Sequence, residues 1–437
     1  NKNSGAGQMT NQKLSFSLRE NVRSLFVRTS ERDAALDGIR AISILLVLVF
    51  HSIAIPADTF PGGVQAYLLT VPPGLLWMAQ GEKGVDMFFV LSGFLIGRML
   101  LKEQRARARI HFGEFYFRRL VRLFPAYALL LLLLLAAPVQ REKIYLLTNL
   151  FYINNFFDPA KSLAPWTWSL AVEEQFYLVL PLFLTWFFFR SKHKGLLLGM
   201  VISGALVIKV IVFFRNPQFL SLPYSEMLTD PLYEKLVRIN LYTRYDSLML
   251  GFCAAYLQFD YGQQIKEFLR GNPWLNTLIT VAAVTIAAAI LMAPIDTMHL
   301  RWHPAALAIY RISHLTIFSA AVAALILCVL SDVGISKPLA KFLSLRLWLP
   351  FAQLAYSIYL FHALFSMTAF VLVRKIINHG DPGLSISLVW LIMLLTTISS
   401  TLFAAAIYIF IEKPAMNKRS QWWQRLTQRR LKPATGN

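Results

Sequence analysis

Leu36-Asp37-Gly38-Ile39-Arg40-Ala41-Ile42-Ser43-Ile44-Leu45-Leu46-Val47-Leu48-Val49-Phe50-His51 belongs to the first apolar run long enough to cross a bilayer, yet it carries an arginine and a histidine. Ionisable groups inside a membrane segment are costly and mark function. In a helix, eleven residues rise about 16 Å and complete three turns plus about 20°, so Arg40 and His51 share one face at different depths. That face offers a cation near one membrane surface and an imidazole deep inside.

The pattern extends through the chain. Of 437 residues, 56% are hydrophobic and 15% charged, unlike a soluble domain. Apolar stretches fall near 38–56, 84–101, 123–139, 169–189, 195–214, 242–259, 274–293, 305–330, 347–375 and 384–411. Each approaches the length a bilayer requires. The expected fold is therefore all-α: a polytopic membrane protein with about ten transmembrane helices. Pro, Gly and charged residues interrupt several stretches, which leaves room for a broken or re-entrant segment. A formal net charge of +20 would suggest nucleic acid in a soluble protein. Here the cations lie in short connections between apolar runs, and no nucleic-acid partner is expected. The two cysteines, Cys253 and Cys328, lie inside apolar stretches, which excludes a disulfide framework. The polar start at Asn1 has no signal-peptide core, so the first span is expected to act as the insertion signal.

Lys and Arg gather before the first stretch (Lys13, Arg19, Arg23, Arg28, Arg32) and between the second and third (Lys102, Arg105, Arg107, Arg109, Arg118, Arg119, Arg122). They recur after the fourth (Arg190, Lys192, Lys194) and near the C-terminus (Lys418, Arg419, Arg425, Arg429, Arg430, Lys432). Cation-rich alternate connections belong on the cytoplasmic side. Both termini are expected there, with Arg40 at the cytoplasmic end of the first helix and His51 toward the opposite surface. Residues 1–35 read as a basic, poorly ordered cytoplasmic arm, 36–416 as the transmembrane domain and 417–437 as a basic cytoplasmic tail. No internal repeat is evident, and no soluble catalytic domain is expected after Glu412.

Further polar residues interrupt the later stretches. In Gly84-Val85-Asp86-Met87-Phe88-Phe89-Val90-Leu91-Ser92-Gly93-Phe94, Asp86 sits near one end. Ser92 and Gly93 suit close helix packing. Arg118, Arg119 and Arg122 stand where a helix enters the membrane; guanidinium forks fit phosphate oxygens, although anionic lipid headgroups would also satisfy them. Trp168-Ser169-Leu170-Ala171-Val172-Glu173-Glu174-Gln175-Phe176-Tyr177 holds adjacent carboxylates. Helical neighbours diverge by about 100°, so only one of the two should face a cavity. Arg244 and Asp246 could neutralise each other or other intramembrane charges. His362, in Tyr356-Ser357-Ile358-Tyr359-Leu360-Phe361-His362, fits a hydrogen-bonded core residue better than a catalyst. Trp168, Glu174, Arg244, Asp246, Tyr359 and His362 are thus expected to bind substrate or fill structural polar roles.

Taken in order with Ile411-Glu412-Lys413-Pro414, these blocks resemble the integral-membrane acyltransferase family three over about residues 33–416. The resemblance implies transfer of an acyl group, usually acetyl, from a cytoplasmic acyl-CoA to a hydroxyl of a carbohydrate or related acceptor, commonly at the bacterial inner membrane. It makes Arg40 and His51 the signature pair. It matches Arg118, Arg119 and Arg122 to the arginines after the second span, and the intramembrane carboxylate to Glu173 rather than Glu174. No C-terminal hydrolase-like domain, such as one large subgroup carries, is expected here, which leaves the acceptor open.

On these positions Arg118, Arg119, Arg122 and Arg40 would hold the phosphates of coenzyme A. The pantetheine arm would follow the stripe Arg40, Ile44, Val47 and deliver the thioester near His51. His51 would serve as the base for the acceptor hydroxyl, with Glu173 or Asp86 orienting its ring. The expected partners are the lipid bilayer, acetyl-CoA or another acyl-CoA as donor, and a carbohydrate or glycolipid acceptor; no metal is expected, and the oligomeric state is not readable. A multi-helix transporter or flippase of a glycan or small metabolite would share the helices and buried charges. It predicts similar halves, which the sequence lacks, and gives no reason for the Arg40–His51 spacing.

Overall fold

A computed structural model describes residues 16–28, 31–60, 63–137, 142–293, 302–377, 379 and 385–431. Lys13, Lys432 and the outer parts of the arm and tail lie outside the described residues, as do the side chains of Arg32, Arg429 and Arg430. No strand occurs among the described residues. Ten long helices form the body: α1 (Ala34–Thr59), α2 (Lys83–Arg107), α3 (Phe112–Ala136), α4 (Trp168–Phe183), α5 (Lys194–Arg215), α6 (Leu241–Gly271), α7 (Pro273–Leu291), α8 (Pro304–Ser331), α9 (Trp348–Leu372) and α10 (Ile386–Ile407).

Nine described helical segments are long and apolar enough to cross a membrane, one fewer than the stretches counted in the sequence. The difference is α6. It carries Arg244 and Asp246, and it packs against α2, α4, α5 and α8 inside the bundle. Protein rather than lipid surrounds it, so it needs less apolar surface than its neighbours. The charges it brings inside are paired with other helices rather than with each other. An Arg244 Nη atom lies 2.9 Å from Asp86 Oδ1, and Lys209 Nζ lies 2.6 Å from Asp246 Oδ2. Thr316 donates to Asp246 at 2.5 Å, and Ser319 donates to Ser247 at 2.8 Å.

Glycine sets the tightest crossing. A Cβ on Gly93 of α2 would lie 1.9 Å from Leu248 O of α6, and one on Gly251 of α6 would lie 2.0 Å from Val90 O of α2. The two helices therefore touch backbone to backbone. Residues 86, 90, 93 and 97 face that crossing, which leaves the roughly opposite face of α2, with 88, 92, 95 and 96, free for a cavity.

The described part of the N-terminal arm is folded onto this body. Leu18–Phe26 is an amphipathic helix capped by Ser17, with Asn21 and Leu25 buried. Asn21 Nδ2 donates to Ile409 O at 2.9 Å, and the Ser24 and Tyr408 hydroxyls lie 3.2 Å apart. Tyr408 opens a π-helical turn, Tyr408–Glu412, that joins α10 to the final helix Lys413–Leu431. Pro414 cannot donate to the turn before it, and such wide turns commonly mark functional sites. The final helix lies against α3, with the Trp423 and Phe117 rings 5.4 Å apart.

Candidate active site

Five of the ten long helices, with the π-turn and the final helix, converge on one cavity of about 1080 Å³, a volume that includes its open mouth. From α2 come Phe88, Ser92, Leu95 and Ile96; from α4, Ser169, Leu170, Glu173 and Tyr177; and from α9, Ala352, Gln353, Ala355, Tyr356 and Tyr359. The π-turn and final helix add Tyr408, Glu412 and Met416, which lie four residues apart on one face. Arg40 of α1 and Arg119 and Arg122 of α3 complete one end. A second, basic chamber shares Ile96, Arg119 and Arg122 with it and adds Lys102, Arg107, Arg118 and Arg419.

The carboxylates divide as helical geometry requires. Glu173 faces the cavity and accepts a hydrogen bond from Tyr177, one turn along α4, at 2.8 Å. Glu174 points away and pairs with Arg119 at 3.4 Å, while the Arg119 guanidinium stacks 3.5 Å from the centre of the Tyr177 ring. Arg118 reaches only the basic chamber, where it pairs with Glu114. Arg40 and Arg122 have no carboxylate within ion-pair distance among the described residues.

At the other end, the Ser169 and Tyr359 hydroxyls are 2.5 Å apart, and Tyr359 donates in turn to Trp166 O. The Tyr359 ring lies against His362, with centroids 5.6 Å apart. His362 is fully buried, and its Nε2 lies 3.3 Å from His51 Nδ1. His51 itself is only half-buried and does not line the cavity. Tyr359 and His362 thus stand between the cavity and His51.

Several expected placements change accordingly. Ile44 and Val47 are fully buried in the core rather than lining a channel. The reason is the approach of α2, where a Cβ on Gly84 would lie 2.4 Å from Ser43 O and 3.2 Å from Val47 Cγ2. The apolar passage is instead walled by Phe88, Leu95 and Ile96 of α2. Asp86 does not orient His51, because its charge is held by Arg244 and its Oδ1 also accepts from Ser247 at 3.3 Å. Nor does Glu173, which lies one turn beyond Ser169 among the arginines. The partners of His51 are Val47 O, 2.9 Å from Nδ1, and His362. Trp168 does not line the cavity; it packs edge-on to Phe89, with Arg244 5.6 Å from its ring centre. Ser92 and Gly93 split, the serine facing the cavity and the glycine the helix crossing.

Sequence reasoning missed Tyr177, Tyr356, Ser169, Glu412 and Arg419 among the lining residues, and Lys209 in the charge network. Two left usable signals. Lys209 is a lone cation inside the stretch 195–214, and Glu412 is a carboxylate at the end of 384–411, where ionisable groups call for a role. Ser357 donates to Glu412.

Comparison with known proteins agrees with this architecture. O-acetyltransferase OatA of Staphylococcus aureus (strain NCTC 8325 / PS 47) is 26% identical over 404 residues, which cover 88% of this chain and 57% of OatA. OatA of strain COL gives the same figures. A 192-residue stretch, 40% of this chain, is 33% identical to 28% of a strain COL protein named "Putative O-acetyltransferase SACOL0978". The chain thus spans little more than half the length of the OatA relatives it matches. No solved structure matches it. The family model described as an acyltransferase domain, Acyl_transf_3, matches residues 33–409, which take in α1 to α10 and every cavity-lining residue except Glu412 and Met416. This chain is an integral membrane protein and belongs to that acyltransferase family.

Proposed function

We propose that the protein is a membrane O-acyltransferase that moves an acetyl or other short acyl group from a cytoplasmic acyl-CoA to a hydroxyl of a carbohydrate or glycan-like acceptor in a bacterial inner membrane. The observation that carries this reading is the pair Arg40 and Arg122. Both line the cavity without an ion-pair partner among the described residues, whereas Arg119, Arg244 and Lys209 each have one. A polyanionic nucleotide supplies the missing negative charge through charge-assisted bonds. The apolar wall of α2 suits a narrow pantetheine arm, and the names of the OatA relatives support acetyl as the group carried.

In this reading the thioester lies at the Ser169–Tyr359 end, and Tyr359 swings aside to admit it to His51. The acceptor hydroxyl gives its proton to His51 while its oxygen attacks the thioester carbon. The C–S bond breaks, its electron pair leaves on sulfur, and the proton passes from His51 to that sulfur to give the thiol of coenzyme A. No acyl-enzyme is needed. The cation-rich connections put the Arg40 end on the cytoplasmic side, so an acceptor meeting the half-buried His51 from the other side would be acylated across the membrane.

The test uses purified protein in lipid nanodiscs, labelled acetyl-CoA and an N-acetylhexosamine oligosaccharide as probe acceptor, with release of free thiol as the readout. Saturable turnover is expected, and His51→Ala should lower kcat by about 10²- to 10⁴-fold. Wild-type turnover in that variant would remove the base and the reading with it. Mass spectrometry of cellular glycans with and without the gene identifies the acceptor.

A further inference from the structure

We infer that His362 is a positioning residue for His51: with Val47 O it holds the His51 ring by its Nδ1–H, leaving Nε2 bare, and it stabilises the imidazolium formed during transfer. The inference rests on the proposed role of His51 as base, and it follows from where four atoms lie. His362 Nδ1 is 2.6 Å from Tyr359 O, and His51 Nδ1 is 2.9 Å from Val47 O. A carbonyl oxygen only accepts, so each Nδ1 must carry a hydrogen; a bare nitrogen there would set two lone pairs against each other. In the neutral rings each Nε2 is then bare. His362 Nε2, 3.3 Å from His51 Nδ1, is left as an acceptor facing the one N–H beside it.

The arrangement has direction. The His51 Nδ1–H is shared between Val47 O and His362 Nε2, while His51 Nε2 has no hydrogen-bond partner among the described residues and stays free for the acceptor hydroxyl. When Nε2 takes up that proton, the ring becomes cationic and Nδ1–H becomes a stronger donor toward His362, as charge-assisted bonds are. His362 does not need to be protonated at any step, because the proton leaves His51 from Nε2 to the thiolate. A neutral imidazole thus does for His51 what an orienting carboxylate does in other base–orienter pairs. It suits an interior where a carboxylate would need a counter-cation, and the structure fixes its own tautomer through Tyr359 O. The packing is tight, with ring centroids 4.4 Å apart and planes at 78°.

The experiment combines spectroscopy and kinetics. In full-length protein labelled with ¹⁵N-histidine in proteoliposomes, solid-state NMR reads the tautomer of His51, assigned by the signal lost in His51→Ala. The expected state is Nδ1–H in both proteins, with the His51 Nδ1 resonance shifted in His362→Leu by the loss of its second acceptor. In thiol release from acetyl-CoA, His362→Leu should lower kcat about 10²-fold with an unchanged KM for acetyl-CoA. His362→Gln, whose amide oxygen can accept from His51 Nδ1, should recover about tenfold of that loss. A wild-type His51 in the Nε2–H form overturns the inference without any variant, even should His362→Leu fail to fold. It is equally overturned by His362→Leu turning over at the wild-type kcat while His51→Ala is dead, an outcome that leaves the role of His51 intact. Undiminished turnover in His51→Ala instead removes the underlying reading.

Discussion

Arg40→Ala is the sharpest probe of the proposed donor site, because it would separate recognition of phosphate from recognition of the thioester. Arg40 lines the cavity half-buried, in a wall it shares with Arg122. A hydrogen bond to a charged group contributes about 1.5–3 kcal/mol. At about 1.4 kcal/mol per tenfold, its loss raises the Kd for acetyl-CoA by about 10- to 150-fold. Arg40→Lys keeps the charge but loses the fork, so its loss should be smaller, about three- to tenfold. S-acetylpantetheine has the same thioester and arm without the nucleotide, and its Kd should differ by less than about twofold between wild type and Arg40→Ala. Equilibrium binding to protein in nanodiscs, at two ionic strengths, measures these values, and the acetyl-CoA difference should shrink at high salt. Equal losses for both ligands would refute the reasoning, since the guanidinium would then be serving the thioester or the fold. Unchanged binding of both would remove Arg40 from the donor site altogether.

Two further substitutions test the architecture. Lys209→Met leaves Asp246, whose side chain is 1% exposed, without its cation, and should cost about 3–5 kcal/mol in thermal unfolding. Pairing Lys209→Met with Asp246→Leu should restore most of that stability, and equal melting of single and double variants would show that no charge was stranded. Gly93→Ala puts a methyl 1.9 Å from a backbone oxygen that cannot move aside and should cost at least about 1–3 kcal/mol. Ser92→Ala, one residue away on the cavity wall, loses only hydroxyl contacts to Glu173 and Tyr177 and should cost less than Gly93→Ala, about 1 kcal/mol; a reversed order would mean that the α2–α6 crossing is misplaced.

What could be read in advance was whatever depends on neighbours along one helix. The period of the apolar stretches gave the ten helices. The eleven-residue spacing put Arg40 and His51 on one side of α1, and the 100° step between Glu173 and Glu174 foretold that only one would face the cavity. What could not be read was which helix lies against which face. The stripe Ile44 and Val47 is as apolar as a channel wall, and only Gly84, some forty residues away, decides that α2 seals it. Asp86 and Arg244 are 158 residues apart, and His51 and His362 are 311 apart. No local pattern distinguishes a histidine that touches another from one that stands alone. The weighing of His362 toward a core role was reasonable for a lone imidazole, because its significance lies wholly in its partner.

Counter-charge, more than burial, separates framework from chemistry in this bundle. Asp86, Asp246, Arg244 and Lys209 are all buried, yet each meets an opposite charge within 3 Å. Removing any of them strands a partner, which is the behaviour of a group that fixes how helices dock. Arg40 and Arg122 differ in both respects: they have access to the cavity, and they have no ion-pair partner among the described residues. Arg40, half-buried, and Arg122, exposed, stand around one space beyond ion-pair distance of Glu173 and Glu412 in the same cavity, where each raises the cost of the other. The arrangement makes physical sense when the missing charge arrives with a ligand, and its repulsion is then relieved on binding. The histidine pair follows the same logic at the opposite end with neutral groups. Both Nδ1 atoms are committed to backbone carbonyls, so His51 Nε2, which has no hydrogen-bond partner among the described residues, is the ring nitrogen a reacting hydroxyl would need.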